Sequence, residues 1–286
     1  MDFQSELAAR KEKVDQFIAQ YWADKDWPKV IGIDSLKQSI EYSVLAGGKR
    51  FRPVLAILIA EGFGAHPKQV LPVAMAIEFI HTYSLIHDDL PCMDNDDFRR
   101  GQPTNHKKFG ESTALLAGDA LLTQAFSVIA EAYVENPLMG LKLVRLIAEA
   151  SGAMGMVGGQ EIDLQAQTQK VDLSLNALKV MHQMKTGALI RVSCEAAAVA
   201  CGLPEDKVKK LRTFGEFLGL AFQIADDILD AQEKEETGSY PSMLGLEGAQ
   251  KELELASERG LSLLTELQLT NSLLSQLVLY NKSRSI

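Results

Sequence analysis

Residues 74–100 read AMAIEFIHTYSLIHDDLPCMDNDDFRR, an apolar run at helical spacing that gives way to five carboxylates and then two guanidinium groups. Ala74, Ile77, Phe79, Ile80, Tyr83 and Ile86 follow the three- and four-residue steps of a buried helix face. Pro91 removes a backbone donor, so the helix must kink or end within a turn of Asp89, and Asp94 is then expected to fold back toward Asp88 and Asp89. Acidic clusters are usually solvated faces. Carboxylates fed from an apolar helix and followed at once by Arg99 and Arg100 instead suit a hard cation that itself holds an anion, and magnesium bridging to phosphate fits that donor set.

A second acidic stretch, residues 222–230, reads FQIADDILD. Asp226 and Asp230 are one helical turn apart and share a face, and Gln223 precedes Asp226 and Asp227 by three and four residues, which sets an amide donor on the same side. Phe222, Ile224, Ile228 and Leu229 remain to pack. Two aspartate clusters, each at the end of an apolar helical pattern, are expected to be facing walls of one cavity whose mutual repulsion divalent metal relieves.

The chain has 286 residues, 47% of them hydrophobic, enough for a large core, and one helical domain spanning 1–286 is expected. A net charge of -9 argues against a broad basic face, so nucleic acid is not an expected partner and anion binding must rest on metals and a few placed cations. Cys92, Cys194 and Cys201 lack metal-ligand spacing and read as small core residues in a reducing compartment. The N-terminal MDFQSELAARKEKVDQF is charged and amphipathic, unlike a secretory signal or an anchor, and no apolar run reads as long enough to span a membrane. A soluble, cytoplasmic protein is expected.

Helices are expected over residues 3–22, from Asp34 or Ser35 as N-cap to Gly47–Gly48, 70–89, 111–132, 138–150, 173–201, 204–229 and within 244–285. The Lys49-Arg50-Phe51-Arg52-Pro53 turn opens a further apolar helix, and cations at a helix N-terminus favour an anion. Residues 101–105 have turn chemistry. Gly152, Gly155, Gly158 and Gly159 form a small-residue stripe where helix backbones can approach closely, with Gln160, Glu161 and Asp163 directly after as cavity-lining groups. The 173–201 helix is interrupted at Lys185-Thr186-Gly187, where a lysine and a hydroxyl beside a flexible residue can donate to an oxyanion. No strand pattern of useful length is present, so the fold class is all-α.

Nearly the whole chain resembles the short-chain trans-prenyl diphosphate synthases, the farnesyl and geranylgeranyl diphosphate synthase family. The resemblance runs in family order through GGKRFRP, SLIHDDLPCMDNDDFRRGQPTNH, GGQEIDL, KTGALI, FQIADDILD and YPSMLGLE. It implies helices around a deep central cavity, the isoprenoid synthase fold, in a homodimer. The implied reaction condenses an allylic diphosphate, dimethylallyl or geranyl, with isopentenyl diphosphate. The resemblance makes Asp88, Asp89 and Asp94 the first magnesium cluster and Asp226, Asp227 and Asp230 the second, with three Mg2+ per site when substrate is bound. It gives Arg99, Lys185, Thr186 and Gln223 to the allylic diphosphate and Lys49, Arg52, His81 and Arg100 to a metal-free isopentenyl diphosphate site. The catalytic set is Asp88, Asp89, Asp226 and Lys185; His87 is left out, as an orienting or core histidine.

In this family chain length is gated about one turn before the first cluster, here at Tyr83 and Ser84. An aromatic floor at Tyr83 favours the fifteen-carbon farnesyl product, whereas Ser84 and the DDLPCMDNDD…RRGQPTNH pattern are also like twenty-carbon geranylgeranyl synthases. One departure stands out: Ala231 to Ser239 is short and acidic, holds only Lys234, and has Thr237 where a lysine often precedes Tyr-Pro. That raises the alternative of a catalytically weak, synthase-like partner subunit. An HD-type phosphohydrolase needs several histidine ligands, against five histidines in the chain, and a terpene cyclase leaves Lys49, Arg52, His81 and Arg100 without a task.

Overall fold

The computed structural model describes residues 2–233 and 238–283. The chain divides into two compact units, Met1–Ile57 with Val70–Val144, and Leu58–Gln69 with Arg145–Ile286. Among the described residues the only strands are two of two residues each; the protein is all-α, as its sequence leads one to expect.

The first unit opens with α1 (Phe3–Ala23), capped by the Asp2 carboxylate on Ser5 N–H at 2.8 Å. Helix α2 (Ile33–Val44) starts earlier than an Asp34 or Ser35 cap requires. Gly32 adopts φ 89°, open to glycine without strain, and its carbonyl accepts from Leu36 N–H, so the helix is already under way at Ile33. Helix α3 (Phe51–Gly62) begins in this unit, and α4 (Leu71–Asp88) follows. Val73 to Phe79 and Ile80 on α4 are all buried, because the helix is apolar round most of its circumference.

A short hairpin, β1 (Phe98–Arg99) with β2 (Gln102–Pro103), comes next, turned by Arg100 at φ 54° and Gly101 at φ 75°. Two positive φ values make the two-residue turn that matches strand twist, and four strand residues are too few for an alternating pattern to register. Helix α5 (Asn105–Phe109) leads into α6 (Glu111–Ala132), which packs on α4 through Ala114, Ala117, Gly118, Leu121 and Ala125. Contrary to the sequence expectation, α6 is long and apolar enough to cross a membrane by length and composition, and it is the only such helix among the described residues. Its alanines and leucines, with Phe126, Val128 and Ile129, raise its hydropathy, while its small residues seat it against α4.

Helix α7 (Pro137–Ser151) leads into the second unit, where α8 (Met156–Gln169) and α9 (Leu175–His182) follow. A π-helical turn (Gln183–Gly187) joins α9 to α10 (Ala188–Ala200). Then come α11 (Glu205–Glu233), α12 (Tyr240–Glu266) and α13 (Leu273–Ser283). Helix α12 starts four residues before Leu244 because Ser239 and Ser242 form a reciprocal capping box; Gly245 at φ 71° kinks it, which hides the early start from periodicity. The core between α9, α11 and α12 holds Leu178, Met181, Ile224, Ile228, Tyr240 and Leu253. The cysteines part company: Cys194 is buried, Cys201 half-buried and Cys92 exposed, since the turn after Pro91 lies at the surface.

Candidate active site

The first aspartate cluster is built by the way α4 ends. Leu90 N–H still reaches His87 O at 3.1 Å, Pro91 then stops the helix, and Asp94 N–H donates to Asp88 O at 2.8 Å, so the loop folds back as expected. The three carboxylates differ in setting. Asp89 is buried and accepts from Arg99 Nε at 2.7 Å, with Arg99 Nη2 at 2.6 Å, whereas Asp88 is half-buried and Asp94 exposed. Burial pushes the Asp89 carboxyl up in spite of Arg99. His87 is held away from chemistry: its Nε2 lies 3.0 Å from Leu115 O, which can only accept, and its ring fills the space over Gly118, where a Cβ would come within 2.1 Å of Nε2.

Below the cluster, Tyr83 is 6% exposed and meets the His87 ring edge-on at 5.6 Å. Burial and the nearby Asp88 push its phenol up to about 12, so the ring is a neutral wall. Ser84 turns its hydroxyl back onto His81 O at 2.9 Å.

The basic residues of the first unit gather where the Gly47–Gly48 turn meets the hairpin. The Arg100 guanidinium donates to Gly47 O and lies against Gly48, whose Cβ, if present, would be 2.6 Å from Cζ; φ 114° at Gly48 likewise demands glycine. His81 is half-buried, and it titrates well below its ordinary range because its ring is desolvated and faces Arg52, Arg100, Arg99 and Arg50. A neutral imidazole among cations can donate to an anion without adding charge. Arg52, His81 and Arg100 are thus brought together, with Lys49 exposed on the same turn.

The second cluster repeats the pattern of the first within its own unit. Asp227 is buried and held at both oxygens, by Gln223 Nε2 at 2.8 Å and by Tyr240 N–H at 2.9 Å, whereas Asp226 is half-buried and Asp230 exposed. A cavity of about 560 Å³ is lined by Lys185, Thr186, Gln223, Asp227 and Asp230, so five of the residues singled out in the sequence share one wall system. Asp163, also expected as a lining group, pairs with Lys185 at 2.5 Å.

Gly159 explains how Lys185 reaches that position. Its missing Cβ lets α8 approach the π turn until the Lys185 backbone nitrogen lies 2.2 Å from where a Cβ would stand. Sequence reasoning missed His182. It is 7% exposed, lines the cavity with its Nδ1 4.0 Å from Asp227 Oδ2, and is held down to about 4 by burial. Its signal was available as a histidine one turn before Lys185. Among the described residues no three His, Cys, Asp or Glu side chains converge tightly enough to hold a metal ion by themselves.

The Lys234–Thr237 part of the shortened loop lies outside the described residues; α11 itself runs on to Glu233, and Gly238 and Ser239 reach the cavity wall.

Residues 33–241 match the polyprenyl synthetase family model. The chain is 43% identical to farnesyl diphosphate synthase of Bacillus subtilis over 95% of its own length and 94% of that protein's. It is 44% identical to geranylgeranyl pyrophosphate synthase 7 of Arabidopsis thaliana over 74% of this chain and 65% of that one. In three dimensions it is similar to an FPP/GFPP synthase from Zymomonas mobilis, with a TM-score of 0.90 and 38% identity, covering 97% of this chain and 99% of that one. A match of this length, carried through both aspartate clusters and the basic turn, means that the chain belongs to the polyprenyl synthetase family.

Proposed function

We propose that this enzyme condenses an allylic diphosphate, dimethylallyl or geranyl, with isopentenyl diphosphate, and that farnesyl diphosphate is its main product. The observation that carries the reading is the division of labour within each cluster. One carboxylate, Asp89 or Asp227, is buried and clamped by protein donors, while Asp88 and Asp226 are half-buried and Asp94 and Asp230 exposed. The donor set fits Mg2+, which keeps several waters and takes one or two carboxylates plus substrate phosphates rather than an all-protein cage. When bound, Mg2+ neutralises the allylic diphosphate so that pyrophosphate can leave.

The chain's own residues do the rest. Asp88, Asp94, Asp226 and Asp230 would hold the metal; Asp89 and Asp227, expected from the sequence as ligands too, are engaged by Arg99 and by Gln223 and Tyr240 and fix the geometry of their clusters. Arg99, Lys185, Thr186 and Gln223 donate to the allylic diphosphate, and Lys49, Arg52, His81 and Arg100 hold isopentenyl diphosphate. The second substrate's double bond attacks the allylic cation, and the departed pyrophosphate takes up the proton that the condensed cation loses, so no protein nucleophile is required. The reading takes 1–286 as one synthase domain, supported by relatives matched over nearly their full length.

Tyr83 supports the fifteen-carbon product, as a neutral ring under the first cluster. The twenty-carbon reading keeps its place through the small Ser84 and the plant relative. We also propose a homodimer, supported by exposed leucines on two successive helices, Leu115 and Leu116 on α6 and Leu138 and Leu141 on α7, which a second copy would cover. Incubation with isopentenyl diphosphate, Mg2+ and, in separate reactions, dimethylallyl or geranyl diphosphate, with products separated by chain length, is the test. Farnesyl diphosphate supports the reading, geranylgeranyl diphosphate moves it to the second one, and no condensation with either allylic substrate refutes both.

A further inference from the structure

The three cations of Lys49-Arg50-Phe51-Arg52 look alike in sequence, yet the middle one is set apart. Arg50 is 3% exposed, and its guanidinium bonds to Glu78 Oε1 through Nη1 at 2.7 Å, to Asp15 Oδ1 through Nε at 2.7 Å and to Val44 O through Nη2 at 2.5 Å. One side chain thus ties α1, the end of α2 and α4 to the turn. The backbone of Arg50 is left-handed, at φ 48°, while its carbonyl accepts from Val54 N–H at 3.0 Å and so starts α3. A non-glycine residue is strained in that conformation, which persists only when the surroundings over-determine it. Here the surroundings are three bonds to the guanidinium.

Glu78 is the buried member of this clasp, at 2% exposed, and sits one turn before His81 on α4. Asp15 is further out, its side chain 35% exposed. Removing the Glu78 charge therefore leaves a buried guanidinium with only a partly solvated counter-charge.

We propose that Glu78 is a positioning residue for the isopentenyl diphosphate site: by anchoring Arg50 it fixes the strained turn from which Lys49 and Arg52 reach the diphosphate. The inference rests on the function proposed above. It commits to a sign. If Glu78 mattered only as a negative charge near the basic recess, its neutralisation would raise the local positive potential and tighten anion binding. If it positions the turn, neutralisation loosens Lys49 and Arg52 and weakens binding.

The test uses the full-length protein with isopentenyl diphosphate alone in EDTA, read by titration calorimetry, so that no turnover is involved. Glu78→Gln is expected to raise Kd about tenfold, the equivalent of about 1.4 kcal/mol, one charge-assisted hydrogen bond's worth of orientation. In the full assay the KM for isopentenyl diphosphate rises in parallel, while kcat and the KM for geranyl diphosphate stay within about twofold. Glu78→Asp, which keeps the charge, recovers part of the loss. Equal or tighter binding by folded Glu78→Gln overturns the inference, as does a uniform fall in kcat with both KM values unchanged. Should Glu78→Gln not fold, Asp15→Asn decides: its more exposed pair predicts a Kd roughly two- to threefold higher, and an unchanged Kd overturns the proposal. A parent protein that neither binds isopentenyl diphosphate nor condenses it refutes the proposed function and this inference with it.

Discussion

Replacing Gly159 by alanine tests the link between α8 and the π turn most directly. The new Cβ would lie 2.2 Å from Lys185 N, 2.7 Å from Lys185 Cα and 2.8 Å from the Met184 carbonyl carbon. All three are backbone atoms, so no rotamer change relieves the overlap, and α8 and the π turn must separate by about 1.5 Å to reach ordinary contact distance. Overpacking of this kind costs about 1–3 kcal/mol. Alanine's better helix propensity returns about 1 kcal/mol, so a net loss of up to about 2 kcal/mol is expected. For a chain of this size that lowers Tm by about 4–8 °C. The kinetic effect is larger, because a 1 Å displacement of Lys185 and Thr186 is enough to cost roughly a hundredfold in kcat/KM for the allylic substrate. Calorimetric Tm and steady-state kinetics with geranyl diphosphate varied are the measurements, with isopentenyl diphosphate binding in EDTA as the internal control, expected to be unchanged. A variant with the parent's Tm and the parent's allylic kinetics would refute the claim that this close approach sets the position of Lys185.

The two kinds of aspartate should separate in stability measurements. Asp227→Ala leaves Gln223 and the buried Tyr240 N–H without their acceptor and is expected to cost about 2–4 kcal/mol, whereas Asp230→Ala should abolish turnover with no loss in denaturant midpoint; equal destabilisation by both would contradict the division of labour. Excess EDTA is expected to stop condensation without lowering helical content by circular dichroism, and turnover surviving in chelator would count against metal dependence. Tyr83→Ala, which opens the floor below the first cluster, should lengthen the main product, and an unchanged product spectrum would move the gate elsewhere. His182 is held down to about 4 in the fold, so between pH 6.5 and 4 the unfolded chain binds a proton that the folded chain refuses. Stability from this group is complete above pH 6.5 and falls as pH drops toward 4, by up to about 3 kcal/mol. His182→Asn should flatten that part of the denaturant-midpoint profile, and an unaltered slope would show that His182 is not the group responsible.

Much of this was legible in residue order. The periodicity of residues 74–89 gave α4 to within a few residues, and the single fact that Pro91 cannot donate was enough to expect Asp94 folding back on Asp88. Of the glycine stripe, only Gly159 is a place where backbones of two elements approach closely; Gly152 and Gly155 lie in the turn between α7 and α8 and face their own chain. What escaped depends on burial and on partners distant in sequence. Lys49, Arg50 and Arg52 are chemically equivalent on paper, and only Asp15 and Glu78, 35 and 28 residues away, single out Arg50 as internal. Six aspartates read as one kind of ligand, because Tyr240 N–H, which claims an oxygen of Asp227, is 13 residues further on. The start of α2 at Ile33 hinges on a left-handed Gly32, a backbone choice that glycine permits but does not announce. Gly187 looked like the cause of the break near Lys185, but it is helical, at φ -65°; the interruption is a change of helical pitch instead.

That change of pitch gives the chain an adjustable joint. A π turn carries its hydrogen bonds one residue further than an α-helix, so Gln183–Gly187 behaves as a surplus residue absorbed without a break between α9 and α10. Removing one residue there would let residues 175–200 run as a continuous α-helix with α9 and α10 close to their present phase, because each residue of the π turn advances the helix by less than the roughly 100° of an α-residue and the shortfall cancels the extra residue. Leu178 and Met181 would then keep their places in the core, and the change would fall on the side chains of the turn itself, Lys185 and Thr186 among them. A single-codon deletion thus acts on this segment as a loss of chemistry rather than as a rotation, and the surplus residue at 183–187 lets the turn serve the cavity while the helices on either side keep their packing.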